Sequence, residues 1–391
     1  MRKLFSVSEG PLSNASVVGF TVWVLESSMS IWKYSPWLTS VPNDCRITLG
    51  EGETPILRSR RIGPSVGLKN LFFKLETVNP SGSYKDRFAV TAIADMLAHG
   101  KSRCIATSSG NTGAALAAYS AAAGIQCEIF VVDGIPQGKL KQMLAYGAKL
   151  YRVKQFGISS EVSQRVVNAL RELSSRPDSQ MQISAFCYSP AGMTGVYSMG
   201  HELAEQGEAP WDHVFCMAGG GGLALATSLG FEQALAAGKI KRLPRVECVQ
   251  PEGNDTMASD LRAGRDHCHT ITCTTKISGL QVPTIVDGDQ VIAACKRNGG
   301  TGHLVSDQLV WEIQKRLSLE EGIFAEPAGS TAVAGAVQAA RNQEIDPNAY
   351  VVCPITGSAF KDPASMDEMV KDVSCPLIDV ADLEKRVAEG V

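Results

Sequence analysis

Short apolar segments alternate with helix-like segments through the middle of this chain. Residues 103–107 and 127–132 have the composition of buried strands, and an alanine-rich stretch at 114–123 lies between them and ends at a glycine. Strands that alternate with helices of about 10–15 residues indicate βαβ units, in which the strands are parallel. The sequence therefore predicts an α/β fold with a mostly parallel sheet flanked by helices.

The same alternation resumes in the second half of the chain without a break in composition. Its strand-like and helix-like segments are residues 213–218, 223–237, 245–250, 328–340 and 350–353. Because domains usually contain roughly 100–200 residues, a chain of 391 residues predicts two of them. We expect two α/β lobes that pack closely around a cleft.

The predicted boundaries divide the chain into three parts. An N-terminal hairpin and arm comprise residues 1–45, with a strand at 16–25 and an extended segment from residue 31 onward. The two domains are a large one, residues 46–88 and 195–391, and a small, mobile α/β one, residues 89–194.

Three further segments complete the sequence prediction. We predict that residues 182–186 form the last strand of the small domain. Residues 291–295 and 307–319, on either side of a glycine pair, are candidates for helices or strands.

Charge and cysteine content exclude several classes of protein. The 37 basic and 40 acidic residues give a net charge of -3, which provides no positive surface for nucleic acid. No apolar run is long enough to cross a bilayer. The eleven cysteines include no C-x-x-C pair, and the cluster at 266–273 lacks the paired spacing of a zinc site, so we predict no metal. Scattered, reduced thiols favour the cytoplasm.

A lysine at the start of a predicted helix is the first candidate for a catalytic residue. Asn79-Pro80 and Ser81-Gly82 are turn-forming pairs, so the backbone bends sharply just before Lys85. A lysine amine is useful as a Schiff-base nucleophile, and partial burial activates it by lowering its pKa. Since a lone lysine near a helix start is more often solvated, the assignment depends on the rest of the chain.

Four consecutive glycines connect a strand-like run to a helix-like run: Gly219, Gly220, Gly221 and Gly222. Such a turn directs backbone N–H groups and the positive end of the helix dipole to one point, which suits a phosphate. A dinucleotide-binding turn is the weaker alternative, because the next acidic residue, Glu247, lies beyond the expected spacing of about 20 residues. A turn required only for packing is the other alternative.

Two further loops carry hydroxyl groups. The first, at another predicted helix start, contains Ser108, Ser109, Asn111 and Thr112. These side chains would bind a carboxylate or simply cap the helix. The second loop follows the strand-like run at 350–353, where open α/β sheets bind ligands, and contains Thr356 and Ser358.

Together, a lysine for an aldehyde, a glycine turn for a phosphate, and hydroxyl and amide groups for a ring predict one cofactor, pyridoxal 5′-phosphate (PLP). The order of the motifs resembles the fold-type II (tryptophan synthase β-like) family of PLP enzymes, and most closely its threonine synthase branch. The matching segments are residues 31–34, 50–55, 79–87, 108–113, 321–328 and 356–363. The resemblance implies two open, twisted, mostly parallel sheets flanked by helices, an N-terminal arm, and a homodimer.

The resemblance also implies how the cofactor is bound. Lys85 would form a Schiff base with PLP and then act as acid and base at the substrate Cα. Asn111 would bond to the 3′ oxygen of the ring, and residues 219–222 would hold the phosphate. Thr356, with Ser358 as its substitute, would face the ring nitrogen.

The substrate is a small amino acid, phosphorylated or not. By resemblance, Ser108, Ser109 and Thr112 would bind its carboxylate or its leaving phosphate. Two segments depart from the threonine synthase pattern, residues 155–160 and 188–198, and in the family these segments supply contacts to the substrate phosphate. The resemblance therefore leaves the substrate open.

Three functions follow. The first is a threonine synthase-like lyase that converts O-phosphohomoserine and water into threonine and phosphate. The second is a β-replacing or β-eliminating enzyme acting on O-phosphoserine, serine or threonine, as a cysteate synthase or a dehydratase does. The third is a non-catalytic binding protein with this fold. Lys85 argues against the third, because an idle site has no need of that amine.

Overall fold

A computed structural model describes residues 30–389, so the strand predicted at 16–25 lies outside the described residues. Within the described range, the strands are β1 (Ile56–Arg58), β2 (Asn70–Leu75), β3 (Arg103–Ala106), β4 (Gln126–Val131), β5 (Lys149–Arg152), β6 (Ser179–Met181), β7 (His213–Met217), β8 (Arg245–Pro251), β9 (Gly302–Val305) and β10 (Tyr350–Ile355).

These strands form two sheets. The larger has the order β1-β2-β10-β7-β8-β9, and all its pairs are parallel except the edge pair β1–β2. The smaller has the order β5-β4-β3-β6 and is parallel throughout. The predicted fold of two mostly parallel sheets is therefore confirmed. The division into a large domain and a mobile small domain stays a prediction.

Helices accompany both sheets. In the first half of the chain they are α1 (Ile62–Ser65), α2 (Lys85–Ala98), α3 (Asn111–Ala123), α4 (Lys141–Ala145), α5 (Ser160–Ser174), α6 (Pro190–Thr194) and α7 (Ser198–Gln206). In the second half they are α8 (Gly222–Ala236), α9 (Ala258–Arg262), α10 (Gly288–Arg297), α11 (Asp307–Arg316), α12 (Pro327–Arg341), α13 (Pro363–Val370) and α14 (Val380–Glu389). No helix in residues 30–389 is both long and apolar enough to span a membrane.

Shorter helical turns join these elements. The 3-10 helices are Ile31–Trp37, Asn43–Cys45, Glu76–Val78, Gln137–Leu140, Gly195–Tyr197, Glu252–Asn254 and Ala359–Lys361, and Leu317–Glu321 is a π-helix.

The central strands are buried along almost their whole length because helices cover both faces of the sheet. Every residue of β7 is buried, as is nearly every residue of β8 and β10. The alanine-rich helix α3 is buried along most of its length, and it ends at Gly124, whose φ of 67° is the left-handed conformation that glycine favours.

The N-terminal arm is not extended, contrary to the prediction from its prolines. Residues 31–37 form a 3-10 helix, in which the Ser30 hydroxyl accepts a hydrogen bond from the backbone N–H of Trp32. Tyr34 and Trp37 pack against the ring of His201 in α7, with centroid distances of 5.0 and 4.6 Å. A compact turn buries Tyr34 and partly buries Trp37, whereas an extended segment would leave both rings in water.

Two further segments differ from the sequence prediction. The last strand of the smaller sheet is Ser179–Met181 and not residues 182–186, because Ser179 is the residue that pairs with Arg103 of β3. The chain turns after β6, where the Ala185 N–H donates to the Ile183 carbonyl. Residues 291–295 and 307–316 are both helical, which is one of the alternatives predicted for them, whereas the strand between them, β9, had no prediction because the glycine pair before it indicated a turn.

Candidate active site

The carboxyl ends of parallel strands from both sheets face one cleft, of about 1370 Å³. β2 leads to Lys85, β7 to the four glycines, β3 to Ser108, and β6 to Gln182 and Ser184, and all of these residues line the cleft. The fold thus brings together groups that lie more than a hundred residues apart in the sequence.

Lys85 is the first residue of α2, and its amine is held by two hydroxyl groups. Lys85 Nζ donates to Tyr84 Oη at 2.6 Å and to Ser184 Oγ at 2.8 Å. The preceding turn depends on Gly82, whose φ is 86°. The turn is also tied to β10, because the Tyr84 N–H donates to the Thr356 carbonyl at 3.0 Å. Lys85 is therefore fixed at the cleft wall rather than free in solvent.

The electrostatic setting makes Lys85 a nucleophile near neutral pH. Removal from water lowers the pKa of its amine to about 7, and the carboxylates of Glu326 and Asp287 offset part of that effect. A substantial fraction of the amine is therefore uncharged at pH 7, which is the form that attacks an aldehyde.

The four predicted glycines form one wall of the cleft. Gly221 has a φ of 91° and immediately precedes α8, which begins at Gly222. A Cβ on Gly221 would lie 2.4 Å from Val291 Cγ2, so both the conformation and the space require glycine. The turn thus places backbone N–H groups of residues 219–222 at the start of a long buried helix.

The hydroxyl loop lies at the start of α3. Ser108, Ser109, Asn111 and Thr112 all line the cleft with Lys85. A Cβ on Gly113 would lie 2.1 Å from the Ser108 carbonyl oxygen, so the loop can fold this tightly only with glycine there.

Thr356 and Ser358 take a different place from the other predicted residues, because neither lines the cleft. Thr356 is completely buried at the end of β10, and its hydroxyl has no hydrogen-bond partner in the described part of the chain. The backbone of Ser358 donates to the Gly82 carbonyl at 3.0 Å. Both residues therefore lie against the Lys85 turn, behind the cleft surface.

Several polar residues of the cleft had no prediction from the sequence, among them Gln182, Ser184, Asp287 and Glu326. Gln182 is 2% exposed, and its Oε1 is a buried oxygen without a partner in the described residues. Asp287 accepts hydrogen bonds from the backbone N–H groups of Phe186 and Cys187. Glu326 accepts one from Asn111 Nδ2 at 2.6 Å. These residues come from separate segments, so no local spacing connects them to Lys85.

The cleft also contains lysines from both halves of the chain. Lys139 Nζ bonds to the Ser278 hydroxyl and lies 3.6 Å from Asp362 Oδ1. Lys361 Nζ donates to Gln142 Oε1 at 2.6 Å. In residues 30–389, no group of three or more His, Cys, Asp or Glu side chains is arranged to hold a metal ion.

The sequence matches a family model described as pyridoxal-phosphate dependent enzyme over residues 47–357. It is 31% identical to the threonine synthase of Synechocystis sp. over 346 residues, which are 86% of each chain. It is 29% identical to the threonine synthase of Methanocaldococcus jannaschii over 339 residues, 86% of this chain and 81% of that protein.

Solved structures share the fold. O-ureido-L-serine synthase has a TM-score of 0.65 at 22% identity, covering 85% of this chain and 96% of that one. The processed form of threonine deaminase isoform 2 from Solanum lycopersicum has a TM-score of 0.69 at 20% identity, covering 88% and 94%.

Proposed function

The chain belongs to the family of pyridoxal-phosphate dependent enzymes, and we propose that it is a threonine synthase-like lyase that converts O-phosphohomoserine and water into threonine and phosphate. The observation that carries the proposal is the similarity to threonine synthases, at 31% identity over 86% of both chains in one case. The proposal assigns to this chain the activity for which those relatives are named, since the residues of its cleft suit PLP chemistry.

The residues of the cleft fit PLP. Lys85 would hold the cofactor through its aldehyde, because its amine is partly uncharged near pH 7. The N–H groups of residues 219–222 would hold the phosphate, at the start of α8. Behind the cleft surface, the buried Thr356 hydroxyl, which has no protein partner in the described residues, would bond to the ring nitrogen.

When bound, PLP supplies an electron sink for the bonds around the substrate Cα. The Lys85 amine would take the proton from Cα and later return one, since its pKa near 7 allows it both to accept and to donate. Ser184, 2.8 Å from that amine, would keep it oriented during both transfers.

The hydroxyl loop would hold the substrate. Ser108, Ser109 and Thr112 would bind its carboxylate or its leaving phosphate at the start of α3, where the helix dipole favours an anion. The buried Oε1 of Gln182 lacks a partner in the described residues, so we add Gln182 to the substrate residues.

A substrate panel tests the proposal. The purified holoenzyme would be incubated separately with O-phosphohomoserine, O-phosphoserine, serine and threonine, and phosphate, ammonia, oxo acids and new amino acids would be measured. We expect equal amounts of phosphate and threonine from O-phosphohomoserine. Ammonia and an oxo acid from serine or threonine, with no phosphate from O-phosphohomoserine, would overturn it.

The second candidate is a β-replacing or β-eliminating enzyme that acts on O-phosphoserine, serine or threonine. Residues 155–160 and 188–198 favour it, because they depart from the threonine synthase pattern. Gln155 has a φ of 65° and begins a turn stabilised by Asp133 of the cleft wall, so the first departure alters the cleft margin. The same panel separates the two candidates.

A non-catalytic binding protein is the third candidate. The lowered pKa of Lys85 disfavours it, because a site that only binds has no use for an uncharged amine. Absence of product from every substrate in the panel, together with tight PLP binding, would support this candidate instead.

A further inference from the structure

Glu326 occupies the N-cap position of a helix, but its side chain does not cap that helix. It immediately precedes α12, and its side chain accepts no hydrogen bond from the first turn of that helix. Instead, Glu326 Oε1 accepts a hydrogen bond from Asn111 Nδ2 at 2.6 Å. The carboxyl group is therefore directed away from its own helix and toward another element.

That hydrogen bond crosses the cleft. Asn111 is the first residue of α3, which packs on strands β3 and β4 of the smaller sheet. Glu326 begins the segment that packs on β7 and β10 of the larger sheet. Both side chains line the same cleft as Lys85. The pair thus connects the two sheets beside the lysine amine.

The backbone leaves room for this pair at Gly357. A Cβ on Gly357 would lie 2.2 Å from Glu326 Oε1 and 3.0 Å from Asn111 Nδ2. The Glu326 N–H also donates to the Gly357 carbonyl at 3.0 Å. A side chain at residue 357 would separate the carboxyl group from the amide. The contact between the two groups therefore requires glycine at this position.

Glu326 is 7% exposed and belongs to none of the ion pairs in residues 30–389. The charged or titratable groups that interact with it through space are Tyr84, Lys85, Lys139, Lys361 and Asp362. Because a buried carboxyl group needs a hydrogen-bond partner, the amide of Asn111 is its principal one. Conversely, an ionised Glu326 accepts only, so it requires the Asn111 amide nitrogen to face it.

We propose that Glu326 is a positioning residue, which fixes the Asn111 amide across the cleft so that its second N–H is presented to PLP. An Asn side chain alone can present either its oxygen or its nitrogen to a ligand. With Nδ2 held by Glu326, the remaining N–H is the fixed donor for an oxygen of the cofactor ring. The inference depends on the proposed contact between Asn111 and PLP and does not depend on the identity of the substrate.

A double-mutant cycle on cofactor affinity tests this role without substrate. The dissociation constant of PLP would be measured by equilibrium dialysis for wild type, Glu326→Ala, Asn111→Ala and the double variant. We expect each single variant to bind PLP about tenfold more weakly, and the double variant to be no weaker than the singles, because both remove one positioned hydrogen bond. Glu312→Ala removes a carboxylate at the same cleft that pairs with Arg341 at 3.5 Å, and it should leave the affinity unchanged.

A near-isosteric variant provides the second measurement. Glu326→Gln keeps an oxygen that accepts from Asn111 but has no titrating carboxyl group, so we expect PLP affinity within about threefold of wild type. The change in PLP affinity between about pH 6 and pH 8 should be smaller in this variant than in wild type, since Glu326 itself would titrate in that range. Additive losses in the cycle, unchanged affinity in Glu326→Ala, or a wild-type pH profile in Glu326→Gln would each overturn the proposal.

Discussion

The Lys85 amine lies 2.8 Å from the hydroxyl oxygen of Ser184, and the two residues come from different sheets. Lys85 begins α2 after β2 of the larger sheet, whereas Ser184 follows β6 of the smaller one. The contact therefore joins the candidate nucleophile to the opposite wall of the cleft. Any change in the distance between the two walls would alter the hydrogen bonding of the amine.

Removal of Lys85 should abolish both catalysis and covalent attachment of PLP. We expect Lys85→Ala to show no turnover on any substrate and no mass increase after incubation with PLP and reduction by borohydride. Lys315→Ala is the matched control, because Lys315 lines the same cleft but is exposed. Retention of the borohydride-fixed mass by Lys85→Ala would assign the nucleophile to another lysine.

The rate of PLP attachment to the apoenzyme should rise with pH through about 7 and then level off. Burial lowers the pKa of Lys85 to about 7, so the reactive uncharged amine dominates above that pH. Ser184→Ala removes an acceptor that stabilises the charged amine, so its midpoint should fall below that of wild type. Stopped-flow absorbance at a series of pH values measures both midpoints. A wild-type midpoint near 10, the range of an ordinary lysine, would contradict the prediction.

The sequence predicted those parts of the site that are contiguous in the chain. The turn before Lys85, residues 219–222 and residues 108–112 each combine turn-forming residues with a following helix, and local spacing alone indicates such a motif. Ser184 and Glu326 had no such signal. They reach the cleft through the pairing of β6 with β3 and the packing of α12 on β10, which are contacts between distant segments.

The two errors in the predicted secondary structure also arise from contacts between distant segments. Residues 182–186 contain apolar residues suited to a strand, but the register with β3 ends the strand at Met181 and leaves Gln182 and Ser184 at the cleft. Residues 31–37 contain a proline, which suggested an extended arm, whereas burial of Tyr34 beside His201 favours a compact turn. In both cases a tertiary contact decided the local structure.

The buried hydroxyl of Thr356 should matter to the cofactor and not to the fold. We expect Thr356→Val to leave the thermal stability of the apoenzyme unchanged or slightly higher, since the hydroxyl has no partner in the described residues. PLP binding should weaken about fivefold, the equivalent of about 1 kcal/mol for one hydrogen bond. Thr227→Val is the control, because that hydroxyl is likewise buried and without a partner in the same residues. Equal PLP affinities in the two variants would rule out a role for Thr356.

Gly221 should tolerate no side chain. Gly221→Ala places a Cβ 2.4 Å from Val291 Cγ2 at a φ of 91°, so we expect a loss of at least about 2 kcal/mol in unfolding free energy, with weaker PLP binding. Gly238→Ala has a similar φ, 70°, with no atom within 4 Å of the added Cβ, so it should lose only about 1 kcal/mol and bind PLP normally. Urea denaturation of both apoenzymes measures the difference. Equal losses would mean that backbone strain, and not the contact with Val291, determines the effect.

Arg87 should be the most sensitive structural residue next to the site. Its fully buried guanidinium bonds to Glu76 Oε2 at 2.8 Å and to Glu202 Oε1 at 2.6 Å. Arg87→Met leaves two buried carboxylates with Lys74 as their remaining cationic neighbour in the described residues, so we expect a loss of about 3–5 kcal/mol in unfolding free energy. Arg341→Met, whose pair with Glu312 is half-exposed, should change stability by less than about 1 kcal/mol.

The buried cluster of Arg87, Lys74, Glu76 and Glu202 predicts how the unfolding free energy of the wild type depends on pH. Burial alone would raise the pKa of Glu202, but the charges of Arg87 and Lys74 lower it to about 2. Because the folded-state pKa lies below that of an unfolded glutamate, about 4.3, this contribution is complete above that pH and is lost as the pH falls toward 2. Urea midpoints between about pH 2 and pH 6 would show a steeper decline for wild type than for Arg87→Met. Parallel declines would mean that other carboxylates control acid unfolding.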